Sequence, residues 1–198
     1  MVALEGISKA FDSAPVLRGV SFAFPERAVT ALSGPSGSGK TTLLNIMLGL
    51  VAPDEGAVRM PVGARMAAVF QEDRLIEHFS AARNLRLTTP KDISDREILE
   101  ALRELDLAPD DQKRVAKYSG GMRRRVAIAR AALFKPDVLL LDEPFTGLDE
   151  DARRRAVEFL KRRCGSATVV LVSHDRDEAA LMGAVGELRL DGEGGGRA

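Results

Sequence analysis

Residues 33–42, with the sequence SGPSGSGKTT, are the feature that most constrains what this chain can fold into. They contain a full match to the pattern G-x-x-x-x-G-K-[ST]. An apolar run over residues 28–32 precedes the motif and predicts a buried strand, and apolar residues at helical spacing follow it. A strand, a glycine-rich loop and a helix in this order predict a binding site for nucleotide phosphates. The candidate binding residues are Gly34, Ser36, Gly37, Ser38, Gly39, Lys40, Thr41 and Thr42.

The chemistry of this loop predicts ATP and Mg²⁺ as its ligands. Glycines allow successive backbone N–H groups to point inward, and the start of the following helix adds the positive end of its dipole. Lys40 supplies a positive charge for the β- and γ-phosphates. Thr41 offers a hydroxyl oxygen to Mg²⁺, which prefers oxygen ligands.

Composition excludes several other classes of protein. The chain has 198 residues, 45% of them hydrophobic, which is enough for one core with a subdomain. Basic and acidic residues number 29 each, so the overall charge gives no reason to expect nucleic acid or an anionic membrane as a partner. The single cysteine, Cys164, excludes an internal disulfide and fits a reducing compartment. No secretory signal or run of about 20 apolar residues occurs, so we expect any membrane role to be peripheral.

The order of strands and helices predicts an α/β fold. Strand-like and helix-like segments alternate after the glycine-rich loop, which predicts right-handed crossovers and a mainly parallel sheet, the core of a P-loop NTPase. Residues 2–32 are β-rich and predict an N-terminal antiparallel subdomain, and residues 72–118 predict a helical subdomain inserted into the core. Residues 192–198 are glycine-rich and predict a flexible tail. We therefore expect a single domain over residues 1–198.

Two carboxylates follow a predicted buried strand that ends at Asp142. Because ligands of open α/β sheets bind at the carboxyl ends of the strands, Asp142 is placed to hold Mg²⁺ directly or through water. Glu143, one residue further, can reach a water aligned with the γ-phosphate and act as general base. Near the N-terminus, Phe11 is either a small core contact or, with a nucleotide nearby, a flat ring that stacks on adenine.

The sequence Ser119-Gly120-Gly121-Met122 at a predicted helix start, upstream of the two carboxylates, resembles the signature of ABC transporter ATPases. The resemblance covers residues 2 to about 190, although Tyr118 and Met122 stand where leucine and glutamine are commonest. It implies that Ser119, Gly120 and Gly121 meet phosphate. The resemblance also places Phe11 at the adenine, Asp149 in the D-loop and His174 as a γ-phosphate sensor. It makes Gln71 the Q-loop glutamine, which joins Thr41 and Asp142 as a metal ligand. Lys40, Gln71, Glu143 and His174 are then the catalytic candidates.

The same resemblance implies partners and a location. Two cassettes, expected to be identical, pair head to tail with ATP between one P-loop and the partner's signature helix. A separate membrane-spanning permease carries the solute, and a solute-binding protein is a further possible partner. The motif wording is similar to that of nitrate, sulfonate and taurine import ATPases. We therefore expect a cytoplasmic protein that is peripheral on the inner face of the cell membrane.

Two alternative functions remain open from the sequence. One is a soluble ABC-type ATPase that acts on nucleic acid or ribosomes, and the other is a small-molecule kinase with a P-loop. The arginine runs at residues 123–125 and 153–155 are interpreted as solvated helix faces, so no nucleic acid is expected. Residues 74–79 are interpreted either as a hinge with ordinary core contacts or as a docking groove, with Phe79 as anchor and Arg74 at its rim.

Overall fold

The computed structural model describes residues 1–12, 14–108, 113–191 and 195–197. The chain forms two compact units, one of Met1–Met66, Asp137–Asp142 and Ser166–Ala198 and the other of Ala67–Pro136 and Glu143–Gly165. The strands are β1 (Val2–Phe11), β2 (Ala14–Phe24), β3 (Val29–Ser33), β4 (Glu55–Arg59), β5 (Met66–Val69), β6 (Val138–Asp142), β7 (Thr168–Val172), β8 (Ala184–Leu190) and β9 (Gly196–Arg197). The helices are α1 (Lys40–Met47), α2 (Ala81–Arg86), α3 (Asp95–Glu104), α4 (Gly120–Leu133), α5 (Glu150–Cys164) and α6 (Arg176–Met182), with a short 3-10 helix at Val115–Lys117.

The first unit contains an antiparallel sheet with the order β2-β1-β4. Buried apolar side chains such as Leu4, Ile7 and Leu17 form its inner face. The β-rich segment predicted over residues 2–32 supplies β1 and β2, whereas β3 at its end belongs to a different sheet. The third antiparallel strand, β4, comes from beyond the glycine-rich loop and pairs with β1.

The strands β6, β7, β3, β8 and β9 of the first unit are neighbours in this order in the second sheet. Every residue of β6 and β7 is buried, which explains their uninterrupted apolar sequences. Val172 of β7 lies opposite Leu32 of β3 on one side and Asp142 of β6 on the other, and both pairings are parallel. The carboxyl ends of these strands therefore meet at one edge of the sheet.

The predicted flexible tail is in part a strand. Gly196–Arg197 forms β9 and pairs antiparallel with β8, where Leu190 lies opposite Gly196. The prediction for residues 192–194 and 198 lies outside the described residues.

The second unit is mainly helical and extends beyond the predicted segment of residues 72–118 to include α4 and α5. Ser94 caps α3 in a complete capping box with Glu97, as its sequence pattern predicts. Ser119 caps α4, where its hydroxyl accepts a hydrogen bond from the Met122 backbone at 3.2 Å. Among the described residues, no helix has the length and apolar content that a membrane span needs.

The interpretation of residues 123–125 as a solvated helix face was wrong for Arg124. This side chain is buried, with 6% of the residue exposed. Two backbone carbonyls of the second unit accept hydrogen bonds from its guanidinium group, and the Asp73 carboxylate lies 3.3 Å from its Nε. Arg154 and Arg155 of the second run are exposed, as predicted. One residue of a run of like charges is therefore buried, although the run as a whole is typical of an exposed helix face.

Candidate active site

The glycine-rich loop connects β3 to α1 in a conformation that only glycine adopts easily. Gly39 is the residue before the helix and has a φ of 92°. Gly34 has a φ of 147°, and a Cβ there would lie 2.5 Å from the Leu190 carbonyl oxygen and 2.6 Å from Ser38 Oγ. The loop therefore packs too closely for a side chain at Gly34. Ser36 and Gly37 are exposed on it, and Thr42 lies with Thr41 in the first turn of α1.

Lys40 is buried, with 8% of the residue exposed, yet its ammonium group stays within the loop. Its Nζ donates to the carbonyls of Gly34 and Pro35 at 2.8 and 2.9 Å. Ser38 Oγ is buried and has no hydrogen-bond partner in the part of the chain that the structure describes. A buried ammonium group and an unsatisfied hydroxyl at a helix start fit the phosphates of a nucleotide, which supply several acceptor oxygens.

Thr41 and Asp142 come together although they are far apart in sequence. Thr41 Oγ1 donates to Asp142 Oδ2 at 3.0 Å, and Asp142 is 5% exposed. Among the described residues, no group of three histidines, cysteines or carboxylates lies together. One carboxylate and one hydroxyl fit Mg²⁺, which usually keeps several waters and takes few protein ligands beside substrate phosphates.

Two other candidates belong to the same unit. His174 is exposed and follows β7, whose carboxyl end lies between the ends of β3 and β6. Phe11 ends β1 and is 47% exposed, with Lys9 Nζ 5.4 Å from its ring centroid. Phe11 pairs with Ala14, and Val16, two residues along β2, would be 3.0 Å from a Cβ at Gly39. The ring therefore belongs to a hairpin that packs against the glycine-rich loop.

The second unit contains the remaining candidates. Ser119, Gly120 and Gly121 begin α4, and a Cβ at Gly121 would lie 3.1 Å from the Gly147 carbonyl oxygen. Asp149 caps α5 by accepting a hydrogen bond from the Ala152 backbone at 2.8 Å. These residues line a cavity of about 500 Å³ together with Asp73 and Arg124.

Gln71 is exposed, and its backbone carbonyl accepts a hydrogen bond from Arg124. Tyr118, one of the departures from the usual signature, is buried with 4% exposed, so an aromatic residue fills that apolar position. The signature start and Asp149 therefore share one cavity, whereas Gln71 is fixed through its main chain.

Glu143 has a backbone conformation that the sequence did not indicate. It follows Asp142 directly and has a φ of 49°, in the left-handed region that non-glycine residues rarely adopt. Its carbonyl accepts a hydrogen bond from the Thr146 backbone at 3.3 Å. Strain of this kind clusters at functional sites, which supports a special role for this carboxylate.

Arg124 and Asp73 are the residues of this region that sequence reasoning missed. Arg124 was interpreted as part of a charge run, and Asp73 was given no role. The one signal in the sequence was that both residues lie near recognised motifs and carry opposite charges. Whether they pair depends on the fold, which brings residues distant in sequence together.

The fold and the site define a nucleotide-binding protein of the P-loop class. The family model described as ABC transporter matches residues 17–146. The chain belongs to this family, and the predicted fold class is confirmed.

Among its relatives is the aliphatic sulfonates import ATP-binding protein SsuB of Granulibacter bethesdensis, 39% identical over 92% of this chain and 76% of the relative. The spermidine/putrescine import ATP-binding protein PotA of Mycoplasma capricolum is 37% identical over 90% of this chain. The chain spans about half the length of the PotA relatives, 56% in this case. The solved dimeric structure of the cassette MJ0796 in a post-hydrolysis state with ADP and Pi is 28% identical, with a TM-score of 0.87, over 100% of this chain and 97% of that one.

Proposed function

We propose that this chain is the ATP-hydrolysing subunit of an importer, coupling ATP binding and hydrolysis to solute movement through a separate membrane-spanning protein. The contact of Thr41 with Asp142 at 3.0 Å carries the proposal, because it joins the phosphate-binding loop to a metal-binding carboxylate. The relatives named as import ATP-binding proteins support the direction of transport. The names of these relatives give different solutes, so we propose an importer subunit without naming its solute.

The residues of the first unit bind and orient the nucleotide. Lys40 and the inward backbone N–H groups hold the β- and γ-phosphates, and Phe11 stacks on adenine. Thr41 and Asp142 hold Mg²⁺ directly or through water, with Gln71 as a further proposed ligand. Bound Mg²⁺ supplies positive charge that offsets the charge of the phosphate oxygens.

Glu143 is the proposed general base for hydrolysis. A water oxygen forms a bond to the γ-phosphorus while the bond from that phosphorus to the ADP oxygen breaks. The proton of the water passes to the Glu143 carboxylate. His174 contacts the γ-phosphate and keeps it aligned. The products of the reaction are ADP and phosphate.

A second copy of the chain completes the site. We propose a head-to-tail homodimer in which Ser119, Gly120 and Gly121 of one copy meet the γ-phosphate held by the other, with Asp149 beside them. The cavity of about 500 Å³ at the start of α4 supports this arrangement, since a helix N-terminus favours phosphate. The dimeric structure of the MJ0796 cassette also supports it.

The membrane subunit gives the protein its location. The proposed cassette lies in the cytoplasm, on the inner face of the cell membrane, bound to the permease and linked through it to a solute-binding protein. The similarity to import subunits does not favour the alternative of a soluble ABC-type ATPase that acts on nucleic acid or ribosomes. Release of phosphate without an added acceptor would exclude the kinase alternative.

The variant Glu143→Gln tests the proposal. Glutamine is nearly isosteric but cannot accept the proton, so phosphate release should fall by about a hundredfold or more while Mg-ATP stays bound. ATP should then hold two cassettes together, because the nucleotide contacts both chains and is not consumed. Phosphate release, equilibrium ATP binding and size-exclusion chromatography with ATP and Mg²⁺ measure the three effects.

The matched control is Glu158→Gln on the exposed face of α5, which should hydrolyse ATP at the wild-type rate. Normal hydrolysis by Glu143→Gln would place the base elsewhere. A monomer that binds ATP in both variants would contradict the shared site.

A further inference from the structure

The loop that carries Gln71 is held by an arginine of the helix that carries the signature sequence. Arg124 lies in α4, and its Nη1 donates to the Phe70 carbonyl at 2.5 Å while its Nη2 donates to the Gln71 carbonyl. The two acceptors are consecutive along the chain. A planar guanidinium group with parallel donors suits such a pair, and a lysine ammonium group does not.

The same arginine also lies beside a carboxylate of the Phe70–Arg74 stretch, that of Asp73. Arg124 Nε lies 3.3 Å from Asp73 Oδ1, and Arg123 Nε lies 3.9 Å from Asp73 Oδ2. The Asp73 side chain is 19% exposed. Burial raises the pKa of Asp73, against the opposing charges of Arg124, Arg123 and Arg130. The carboxylate is therefore surrounded by arginines of one helix.

A second arginine of α4 makes further hydrogen bonds to backbone carbonyls of the same loop. Arg130 donates to the Asp73 carbonyl at 2.9 Å and to the Arg74 carbonyl at 2.6 Å. Arg74 has a left-handed φ of 47°, which marks a sharp turn of the main chain at this point. Four carbonyls between Phe70 and Arg74 thus accept hydrogen bonds from one helix.

We propose that Arg124 is a positioning residue that makes the Gln71 loop and α4 move as one body. The hydrogen bonds from Arg124 to the Phe70 and Gln71 carbonyls form what we call the clamp. Asp73 and Arg124 line the same cavity as Gly120 and Gly121, so the clamp lies beside the end of α4 that is proposed to meet phosphate. A displacement of Gln71 then shifts the start of α4 by way of Arg124. This inference rests on the proposed function and names the contact through which a nucleotide state at Gln71 reaches the signature sequence.

Amide hydrogen exchange on the full chain tests the clamp without any nucleotide. In Arg124→Gln, exchange over residues 70–75 should become about tenfold faster, because charged hydrogen bonds to two carbonyls are lost. Exchange in α3 and in β7 should stay as in the wild type. Unchanged exchange over residues 70–75 would overturn the proposal, whatever the chain does with ATP.

Steady-state hydrolysis tests the functional role. The kcat of Arg124→Gln should fall about tenfold, whereas its equilibrium affinity for ATP should stay within about twofold of the wild type, because Lys40 and Thr41 still bind phosphate. Arg124→Lys keeps the charge opposite Asp73 but cannot span two carbonyls, so it should also lose kcat. If Arg124→Gln does not fold, Arg124→Lys decides, and a wild-type kcat for that variant would overturn the proposal.

Arg86→Gln is the control for a purely structural effect. Arg86 belongs to α2 of the same unit and donates to the Ile93 carbonyl at 2.7 Å and to the Asp95 carboxylate at 3.0 Å, and it does not line the cavity at the start of α4. It should lower the Tm as much as Arg124→Gln does and keep its kcat. An equal loss of kcat in both variants at equal Tm would make Arg124 merely structural. A wild-type chain without ATPase activity would refute the proposed function, and the exchange experiment would still test the clamp.

Discussion

Lys40 shows how one buried charge can be kept for a ligand. Its ammonium group donates to two carbonyls of its own loop, so the side chain needs no partner from the apolar core. The cost of burying an ammonium group is offset by these hydrogen bonds and by phosphate when a nucleotide binds. We therefore expect Lys40 to contribute to nucleotide binding much more than to the stability of the fold.

Replacement of this lysine separates the two contributions. Lys40→Ala should weaken Mg-ATP binding by about a hundredfold, because a charge-assisted contact to phosphate is lost, while the Tm changes by only a few degrees. Isothermal titration with ATP and thermal unfolding without it measure the two effects. Lys135→Ala, which removes an ion pair with Asp92 at 2.8 Å, is a control for loss of a lysine. Wild-type ATP affinity in folded Lys40→Ala would exclude this loop as the binding site.

At the residue scale, the sequence predicts which residues belong to the candidate site better than it predicts the backbone conformation and surroundings of those residues. The motif locates Lys40 and Thr41 because their chemistry depends on local spacing within one loop. The left-handed backbone of Glu143 and the buried guanidinium of Arg124 depend on residues distant in sequence. No local pattern reports such contacts, and the roles of the candidate residues stay predictions until variants are measured.

At the level of elements, strongly apolar or well-capped segments are predictable and weak ones are not. The buried strands β6 and β7 and the capped helix α4 match their sequence patterns. The strand β4, with the sequence EGAVR, has no clear strand pattern, because its glycine and charges are typical of a turn. It is a strand because β1 supplies a pairing edge, which is a tertiary effect.

The ends of α3 and α5 are joined by an ion cluster whose strength depends on pH. Glu104 at the end of α3 accepts hydrogen bonds from Arg162 and from Arg163, the latter at 2.6 Å. Burial acts to raise the pKa of Glu104, but the two arginines together lower it below the ordinary 4.5. A lowered folded-state pKa means that the stabilisation is present above the unfolded-state pKa and is lost as the pH falls through the folded-state pKa.

Glu104→Gln should therefore lower the free energy of unfolding by about 1 kcal/mol at pH 7. The difference from the wild type should shrink as the pH falls below 4.5, the ordinary value for glutamate. Urea unfolding at a series of pH values measures this difference. Glu100→Gln, which breaks a more exposed pair with Arg96 on the same helix, should have a smaller effect. A difference that does not change with pH would assign the loss to packing instead of charge.

At the scale of the whole molecule, residues 74–79 are the proposed contact with the membrane subunit. Phe79 is half-buried, and the Arg83 guanidinium lies 3.7 Å from its ring centroid. Arg74 lies in the same way over Phe70, at 3.6 Å. The Phe79 carbonyl accepts a hydrogen bond from the Val115 backbone at 2.9 Å, which fixes the main chain beneath the ring. The segment thus presents an aromatic residue with a cationic neighbour, a combination common at interfaces.

Phe79→Ala should weaken association with the membrane subunit by about tenfold or more, because a central aromatic contact is lost. ATP binding by the isolated cassette should stay unchanged. Pull-down with the permease and a transport assay measure the first effect, and titration with ATP measures the second. Leu87→Ala is the control, since Leu87 is 56% exposed and lies outside the segment. Intact assembly and transport would remove Phe79 from the interface, and a lowered Tm with lost ATP binding would favour a core contact.

The position of β7 between β3 and β6 has a consequence for biosynthesis. Thr41 and Asp142 end up in contact, but the strands before and at these residues become neighbours only through β7, whose residues are 168–172. A growing chain on the ribosome that has already released the phosphate-binding loop and Asp142 therefore still lacks the strand that joins them. The contact between Thr41 and Asp142 therefore has to wait until residues 168–172 have been synthesised and have paired with β3 and β6.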